Sequence, residues 1–185
     1  MVNQSKSALR TQLRELRNNI PDHLRDAAEY NINAHLQNLL EGFSVIAAYY
    51  AINNEVNVSS TTKNILSKGK TLCLPSVFSG SIVYHQIEDL NVLQNGKFAM
   101  EPPHDSKIIQ PQVVITPLLG YSAGGDRIGY GLGYYDRYFA ANPDCLKIGV
   151  AFAIQKVATI PAELHDQPLD MVVTEEGVIK FNANN

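Results

Sequence analysis

Short, nearly unbroken apolar runs are the feature that most restricts how this chain can fold. Residues 44–50 (SVIAAYY), 71–74 (TLCL), 112–116 (QVVIT), 146–152 (LKIGVAF) and 171–174 (MVVT) are each of strand length and lack the alternation of a sheet with one wet face. Strands of this kind are buried on both sides, as in a parallel sheet covered by helices. The segments between them supply those helices. Residues 5–19 place Leu9, Leu13, Leu16 and Ile20 four, three and four apart, one apolar helical stripe. Lys6, Arg10, Arg14 and Arg17 form a cationic stripe beside it, which alone reads as a solvated helix face. Pro21 stops that helix. Asp22 is placed to cap a second, over 23–40, with Leu24, Ala28, Ile32, Leu36 and Leu39 towards the core and Gly42 at its stop. Further helices are expected over 59–68, ending at Gly69, and over 134–141. Strands are also expected over 81–86 and 178–181. Pro75 and Pro117 are expected to stop the strands before them, and residues 182–185 to fray. The pattern predicts an α/β fold, a three-layer α/β/α sandwich with a mostly parallel sheet, formed as a single domain over 1–185.

Composition removes several function classes. With 45% apolar and 18% charged residues the chain can bury a sizeable core, and a net charge of −3 gives no general attraction to nucleic acid or anionic lipid. Cys73 and Cys145 are far apart, without metal-ligand spacing, and read as free thiols in a reducing compartment. The opening residues carry no apolar core of a secretory signal, and no run approaches the ~18 residues of a membrane span. The expectation is a cytoplasmic protein with a small-molecule substrate and no nucleic-acid or membrane partner. It is expected to be a monomer, with a weak dimer as the alternative.

Chemistry is concentrated in one segment. Five of the twelve glycines fall between 124 and 133, in GGDRIGYGLGYYDR. Glycine lets backbone N–H groups approach a ligand closely, and a glycine loop running into a helix is a ready anion site. Arg127 and Arg137 flank it with guanidinium forks suited to phosphate oxygens. Gly129-x-Gly131-x-Gly133 is not the dinucleotide fingerprint, and Tyr130 stands where a P-loop has lysine. A plain surface linker is the competing reading, but arginine, aspartate and paired tyrosines interrupt the glycines as linkers do not.

The run Arg127-Ile-Gly-Tyr-Gly-Leu-Gly-Tyr-Tyr-Asp-Arg137 resembles the signature of the 5-formyltetrahydrofolate cyclo-ligase family, Arg-Leu-Gly-x-Gly-x-Gly-Tyr-Tyr-Asp. Other landmarks occur in order: Lys6-Ser-Ala-Leu-Arg10, the strand-end segment from Tyr50 to Glu55, Glu101-Pro102, Gln155, and Pro161-Ala-Glu-Leu-His-Asp166. The resemblance implies ATP contacts at Lys6 and Arg10. It also implies a glycine segment shared by nucleotide and substrate, with Arg127, Gly129, Gly131, Gly133, Tyr134 and Tyr135 on the nucleotide. Tyr50, Glu55 and Tyr130 would contact folate, Arg127 and Tyr134 would carry the catalytic step, and Asp136 and Asp166 would bind Mg²⁺. One departure is Tyr121-Ser122, where many relatives have aspartate after the aromatic residue; Asp126, just before Arg127, is the candidate for a partial substitute.

The implied reaction closes 5-formyltetrahydrofolate to 5,10-methenyltetrahydrofolate at the expense of ATP. It depends on positioning and charge neutralisation rather than on a protein nucleophile, and no serine or cysteine stands out as one. A sugar-phosphate isomerase-like enzyme would need a general base and no ATP. A non-catalytic folate-binding module would be expected to lack Asp136 or Arg127, and both are present. Tyrosines among glycines and arginines also occur in RNA binders, but the acidic balance disfavours that reading.

Overall fold

The first helix begins at a hydroxyl cap. Ser5 is extended and its Oγ accepts from the Ala8 amide at 3.3 Å, opening α1 (Lys6–Asn18). The computed structural model describes residues 5–97 and 99–181; the first four residues and the tail expected to fray at 182–185 lie outside them. In α2 (Asp22–Leu39) the cap position belongs to Pro21, whose carbonyl accepts the Leu24 and Arg25 amides. Asp22, expected as the cap, stands inside the first turn, where its charge faces the positive end of the helix dipole. Leu24, expected in the core, is 54% exposed, and the buried face is carried by Ala28, Ile32 and Leu36.

The chain continues through β1 (Val45–Ala47), α3 (Ser59–Ser67), β2 (Thr71–Phe78), β3 (Ser81–Ile87), β4 (Gln94–Asn95) and β5 (Met100–Glu101). It ends with β6 (Val113–Pro117), β7 (Gly120–Tyr121), β8 (Arg127–Ile128), α4 (Tyr134–Ala141), β9 (Leu146–Val150), β10 (Met171–Thr174) and β11 (Gly177–Lys180). Seven strands form the central sheet in the order β11-β10-β9-β6-β1-β2-β3. The five from β10 to β2 are parallel, and β3 and β11 close the two edges as antiparallel hairpin partners. The direction of winding reverses between β1 and β6, and ligands of such sheets bind beyond the strand carboxyl ends at that reversal.

Successive residues of the central strands go to opposite faces, and both faces are covered. Ile46, Leu72, Leu74, Val113 and Ile115 pack with Ala28, Ile32 and Leu36 of α2 and Ile65 of α3. Ala47, Cys73 and Val114 pack with Phe139, Tyr135 and Tyr138 of α4. This is why the runs show no polar alternation. α1 sits apart, its Leu9 and Leu13 on Leu119, Ile128 and Ile160. No helix among the described residues is long and apolar enough to cross a membrane.

β2 does not stop at Pro75 but runs on to Phe78. Thr71 and Cys73 bond towards β1, through Thr71 N–H to Ser44 O and Ala48 N–H to Cys73 O. Pro75 faces the same side, beyond Ala47, the last residue of β1 paired to β2, so no ladder bond asks for its missing N–H. The segment 118–133, expected as one loop, contains the β7–β8 hairpin. Ser122 closes its turn: its N–H donates to Asp126 O at 3.0 Å, its Oγ donates to Asp126 Oδ2 at 2.7 Å, and the same Oγ accepts from the Gly124 and Asp126 amides at 3.2 Å. The residue that departs from the family pattern thus works together with Asp126.

Candidate active site

A cleft of about 360 Å³ opens beyond the carboxyl ends of β1, β2 and β6, at the reversal of strand order. Lys6, Arg10, Tyr50, Glu55, Arg127, Gly129, Tyr130, Gly131, Gly133, Tyr134, Tyr135, Asp136 and Asp166 all line it. The fold therefore brings together these thirteen residues, all singled out from the sequence, and leaves out Arg137.

One end of the cleft is cationic. Lys6 Nζ lies 2.6 Å from Asp166 Oδ2 and 3.3 Å from Glu163. Arg10 donates from Nε to the Gly129 carbonyl at 2.9 Å, and Gly131, at φ +91°, lets the backbone pass directly against that guanidinium. The Arg127 side chain is only 7% exposed; Nη2 lies 2.5 Å from Asp136 Oδ1 and Nη1 donates to the Gln167 carbonyl. The Gln167 amide returns a bond to the same Asp136 oxygen at 3.1 Å. Burial lowers the Arg127 pKa from its ordinary value, against the opposing charges of Asp136 and Asp166. For Asp166 burial pushes upward, but the Lys6 ammonium and the Glu163 amide outweigh it and hold the carboxyl below the ordinary aspartate range. Gly133, at φ +65°, is the N-cap of α4, so the positive end of that helix dipole also faces the cleft. Arg137, expected beside the phosphates, instead donates to the Leu132 and Gly80 carbonyls at 3.1 and 2.9 Å and is not part of the lining.

The other end is apolar, lined by Tyr49, Ile52, Val77, Ile82 and Met100. Glu55 stands there, 7% exposed, accepting from the Ile52 amide at 3.0 Å and from the Tyr130 hydroxyl. Burial raises its pKa, and the Ile52 amide, the Arg17 charge and Tyr130 pull it back. Tyr50 stands half-exposed at the mouth. Of the paired tyrosines at the start of α4, Tyr135 is packed against Phe139, while Tyr134 lies under the Arg137 guanidinium at 5.1 Å.

Arg17 overturns the reading of the cationic stripe as a solvated face. It is 1% exposed and bonded to Asn53 and Tyr130, both of the lining. Arg14 lies over the Tyr130 ring, 5.8 Å from its centroid. A signal was present in the spacing, since Arg17 follows Lys6 by about three helical turns and so shares its face. Gln155, a landmark of the closing motif, is fully buried and donates to the Leu118 and Leu119 carbonyls, which fixes the chain leaving β6.

Comparison with known proteins agrees with this geometry. Residues 2–175 match the model of the 5-formyltetrahydrofolate cyclo-ligase family. A 5-formyltetrahydrofolate cyclo-ligase of Haemophilus influenzae is 26% identical over 181 residues, covering 91% of this chain and 97% of that protein. Among solved structures, a 5,10-methenyltetrahydrofolate synthetase of Aquifex aeolicus superposes with a TM-score of 0.85 at 28% identity, covering 97% of this chain and 94% of the other. One from Mycoplasma pneumoniae superposes with a TM-score of 0.77 at 25% identity, covering 93% and 99%.

Proposed function

Because the chain belongs to the 5-formyltetrahydrofolate cyclo-ligase family, we propose that its cleft closes 5-formyltetrahydrofolate to 5,10-methenyltetrahydrofolate with ATP and Mg²⁺, releasing ADP and phosphate. The observation that carries this reading is the polarity of the cleft. A cationic, glycine-lined end faces an apolar end that holds one buried carboxylate. The first suits a triphosphate, the second a flat heterocycle with N–H donors.

In this reading Lys6, Arg10 and Arg127 hold the phosphate oxygens, with backbone amides of the glycine segment and the start of α4 beside them. Glu55 accepts from the pterin N–H donors, and Tyr50 and Tyr130 flank the ring. Tyr134 and Tyr135 complete the wall between the two ends. The formyl oxygen attacks the γ-phosphorus, the bond to the bridging oxygen breaks, and ADP leaves. N10 then attacks the formyl carbon and loses its proton, and the C–O bond breaks to release phosphate. Arg127 holds charge on the transferring phosphoryl group, with Tyr134 positioned beside it. Before the phosphates bind, Asp136 orients Arg127 directly through Nη2 and indirectly through Gln167, whose amide donates to Asp136 and whose carbonyl receives Arg127.

The donor set fits Mg²⁺, a hard cation that takes one or two carboxylates and keeps several waters. Asp136 and Asp166 are partly exposed, at 22% and 29%, and line the cationic end. They would hold the ion, and it would neutralise charge on the transferring phosphoryl group. Binding of phosphates to Lys6 and Arg127 would release these carboxylates from their present partners. In this reading the chain acts as one catalytic unit over 1–185 and works as a monomer, with a weak dimer as the alternative. The unpaired, buried thiols of Cys73 and Cys145 suit a reducing cytoplasm.

The test is the appearance of 5,10-methenyltetrahydrofolate absorbance with 5-formyltetrahydrofolate and Mg²⁺, with and without ATP. Product should require ATP. Arg127→Ala and Asp136→Ala, checked for folding, should lower kcat by about a hundredfold or more, the cost of removing a preorganised charge-stabilising group. A folded wild-type protein that forms no product with ATP present sinks the reading.

A further inference from the structure

Arg17 is more deeply buried than any other charged side chain among the described residues, and the chemistry above gives it no task. It is 1% exposed, yet no carboxylate lies within ion-pair distance of it among the described residues. Its guanidinium meets neutral oxygens from three places in the chain. Nη2 donates to the Asn53 carbonyl at 2.8 Å and to the Tyr130 hydroxyl at 3.0 Å, and Nη1 to the Leu118 carbonyl at 3.4 Å. Nε is buried with no partner among the described residues. A cation removed from water and met by neutral acceptors is costly, and apolar residues of similar size often leave a fold as stable or more so. Stability does not account for this arginine.

The positions of its acceptors do. Asn53 belongs to the loop that carries Tyr50 and Glu55; Tyr130 stands between Gly129 and Gly131; both line the cleft. The Tyr130 hydroxyl that receives Arg17 hydrogen-bonds the Glu55 carboxylate in turn. Arg25 of α2 ties the same parts from behind, donating to the Arg17 carbonyl at 2.7 Å and the Asn54 carbonyl at 3.0 Å. The contacts run from the last turn of α1 through the glycine segment to the loop after β1.

We propose, resting on the cyclisation reading above, that Arg17 is a positioning residue: through Tyr130 and Asn53 it fixes the Glu55 carboxylate in the geometry that receives the pterin N–H donors. Arg17 touches neither substrate. It joins the helix that reaches the nucleotide through Lys6 and Arg10 to the loop that reaches folate. Its charge also opposes the effect of burial on Glu55. Among the described residues, the other titratable side chains that act with that carboxylate are the hydroxyls of Tyr130 in the glycine segment, Tyr49 after β1 and Tyr135 on α4, and the positive charge acting on it is that of Arg17.

The test compares wild type, Arg17→Met, Arg17→Lys and Tyr130→Phe by steady-state kinetics across pH, with melting temperatures beside them. In Arg17→Met the KM for 5-formyltetrahydrofolate should rise about tenfold or more, while the KM for ATP stays within about twofold. The acid limb of kcat/KM should move to higher pH, because Glu55 protonates more readily without its cation. A merely structural arginine would lower Tm and move neither. Arg17→Lys should restore the limb but only part of the KM, since it keeps the charge and loses the fork. Tyr130→Phe should reproduce the rise in folate KM, and the Arg17→Met/Tyr130→Phe double variant should be no worse than the poorer single one. A wild-type folate KM and acid limb in Arg17→Met overturns the proposal, as do losses that add in the double variant. If Arg17→Met does not fold, wild-type folate KM values in both Arg17→Lys and Tyr130→Phe overturn it equally. If the wild type forms no product, the cyclisation reading has failed by itself. The comparison is then made on the Kd of 5-formyltetrahydrofolate by calorimetry, and a wild type that does not bind it overturns both.

Discussion

Replacing Gly131 by alanine tests the cationic end of the cleft through its backbone. Gly131 has φ +91°, and a Cβ built there lies 2.9 Å from Arg10 Cζ and 3.1 Å from its Nη2. Two costs follow. Positive-φ backbone costs an L residue about 1–2 kcal/mol, which in a chain of this length lowers Tm by about 2–8 °C. The crowding is relieved by the far end of a flexible side chain, so Arg10 swings away and its 2.9 Å bond to the Gly129 carbonyl is lost. A bond from a charged donor is worth about 1.5–3 kcal/mol. If Arg10 reaches phosphate from that anchored position, the KM for ATP should rise about tenfold or more. The contrast is Gly129, two residues earlier: a Cβ there meets nothing within 4 Å and its φ is not in the left-handed range. Gly129→Ala should therefore leave Tm within about 2 °C of wild type, the spread expected of a substitution without strain. Differential scanning fluorimetry reads the first effect and methenyl absorbance against ATP concentration the second. A Gly131→Ala protein with wild-type Tm and ATP KM refutes the reasoning, and so does a Gly129→Ala protein destabilised as much as Gly131→Ala.

Three further outcomes are expected. A Cβ at Gly149 would lie 2.5 Å from both Leu118 Cδ2 and Leu169 Cδ1, so Gly149→Ala should overpack the core by about 1–3 kcal/mol and lower Tm while leaving the KM for ATP unmoved; a changed KM with an unchanged Tm would contradict this. Burial raises the folded pKa of Glu55 over the counter-pulls of the Ile52 amide, Arg17 and Tyr130, so the native state keeps this proton to higher pH than the unfolded chain and its ionisation costs stability as pH rises. Glu55→Gln should then gain Tm relative to wild type as pH climbs from the ordinary glutamate value of about 4.3 through the raised one, and melts in which the gain shrinks with pH would count against it. Burial also pushes the Cys73 thiol up to about 12 and the Cys145 thiol to about 11, so neither should react with a disulfide reagent near pH 8 until denaturant exposes both; one fast thiol in the native protein would be the contrary result.

The sheet was legible because burial on both faces leaves a direct mark, an apolar residue at every position from Ile46 to Ala48 and from Val113 to Ile115. Strand order left no such mark. Whether Pro75 ends a strand depends on which neighbour its missing N–H would face, and that is decided by where β1 stops. The two-residue strands β4 and β5 are too short to show a period at all. At the site, the glycine motif named its own segment, and the family pattern carried Lys6, Glu55 and Asp166 with it. Spacing put Arg17 on the face of Lys6 but left its burial open, for a physical reason. A helix-face arginine is solvated or buried according to what docks on it, and here the partners come from 36 and 113 positions away. Arg137 failed in the opposite sense, since adjacency to the motif said nothing of the Gly80 carbonyl that holds it.

The bond from Lys6 to Asp166 spans 160 positions of sequence. A ribosome adding about 5–20 residues per second needs roughly ten to thirty seconds between the two. During that interval α1, a helix of 13 residues and marginal in isolation, has its leucines without the surface that later covers them, because Leu119, Ile128 and Ile160 are also made late. This segment, made well before its partners, therefore waits longest of the helices to find its place. A chain stalled before Asp166 would have the early strands and no site, and the completed cleft certifies that synthesis has passed that residue.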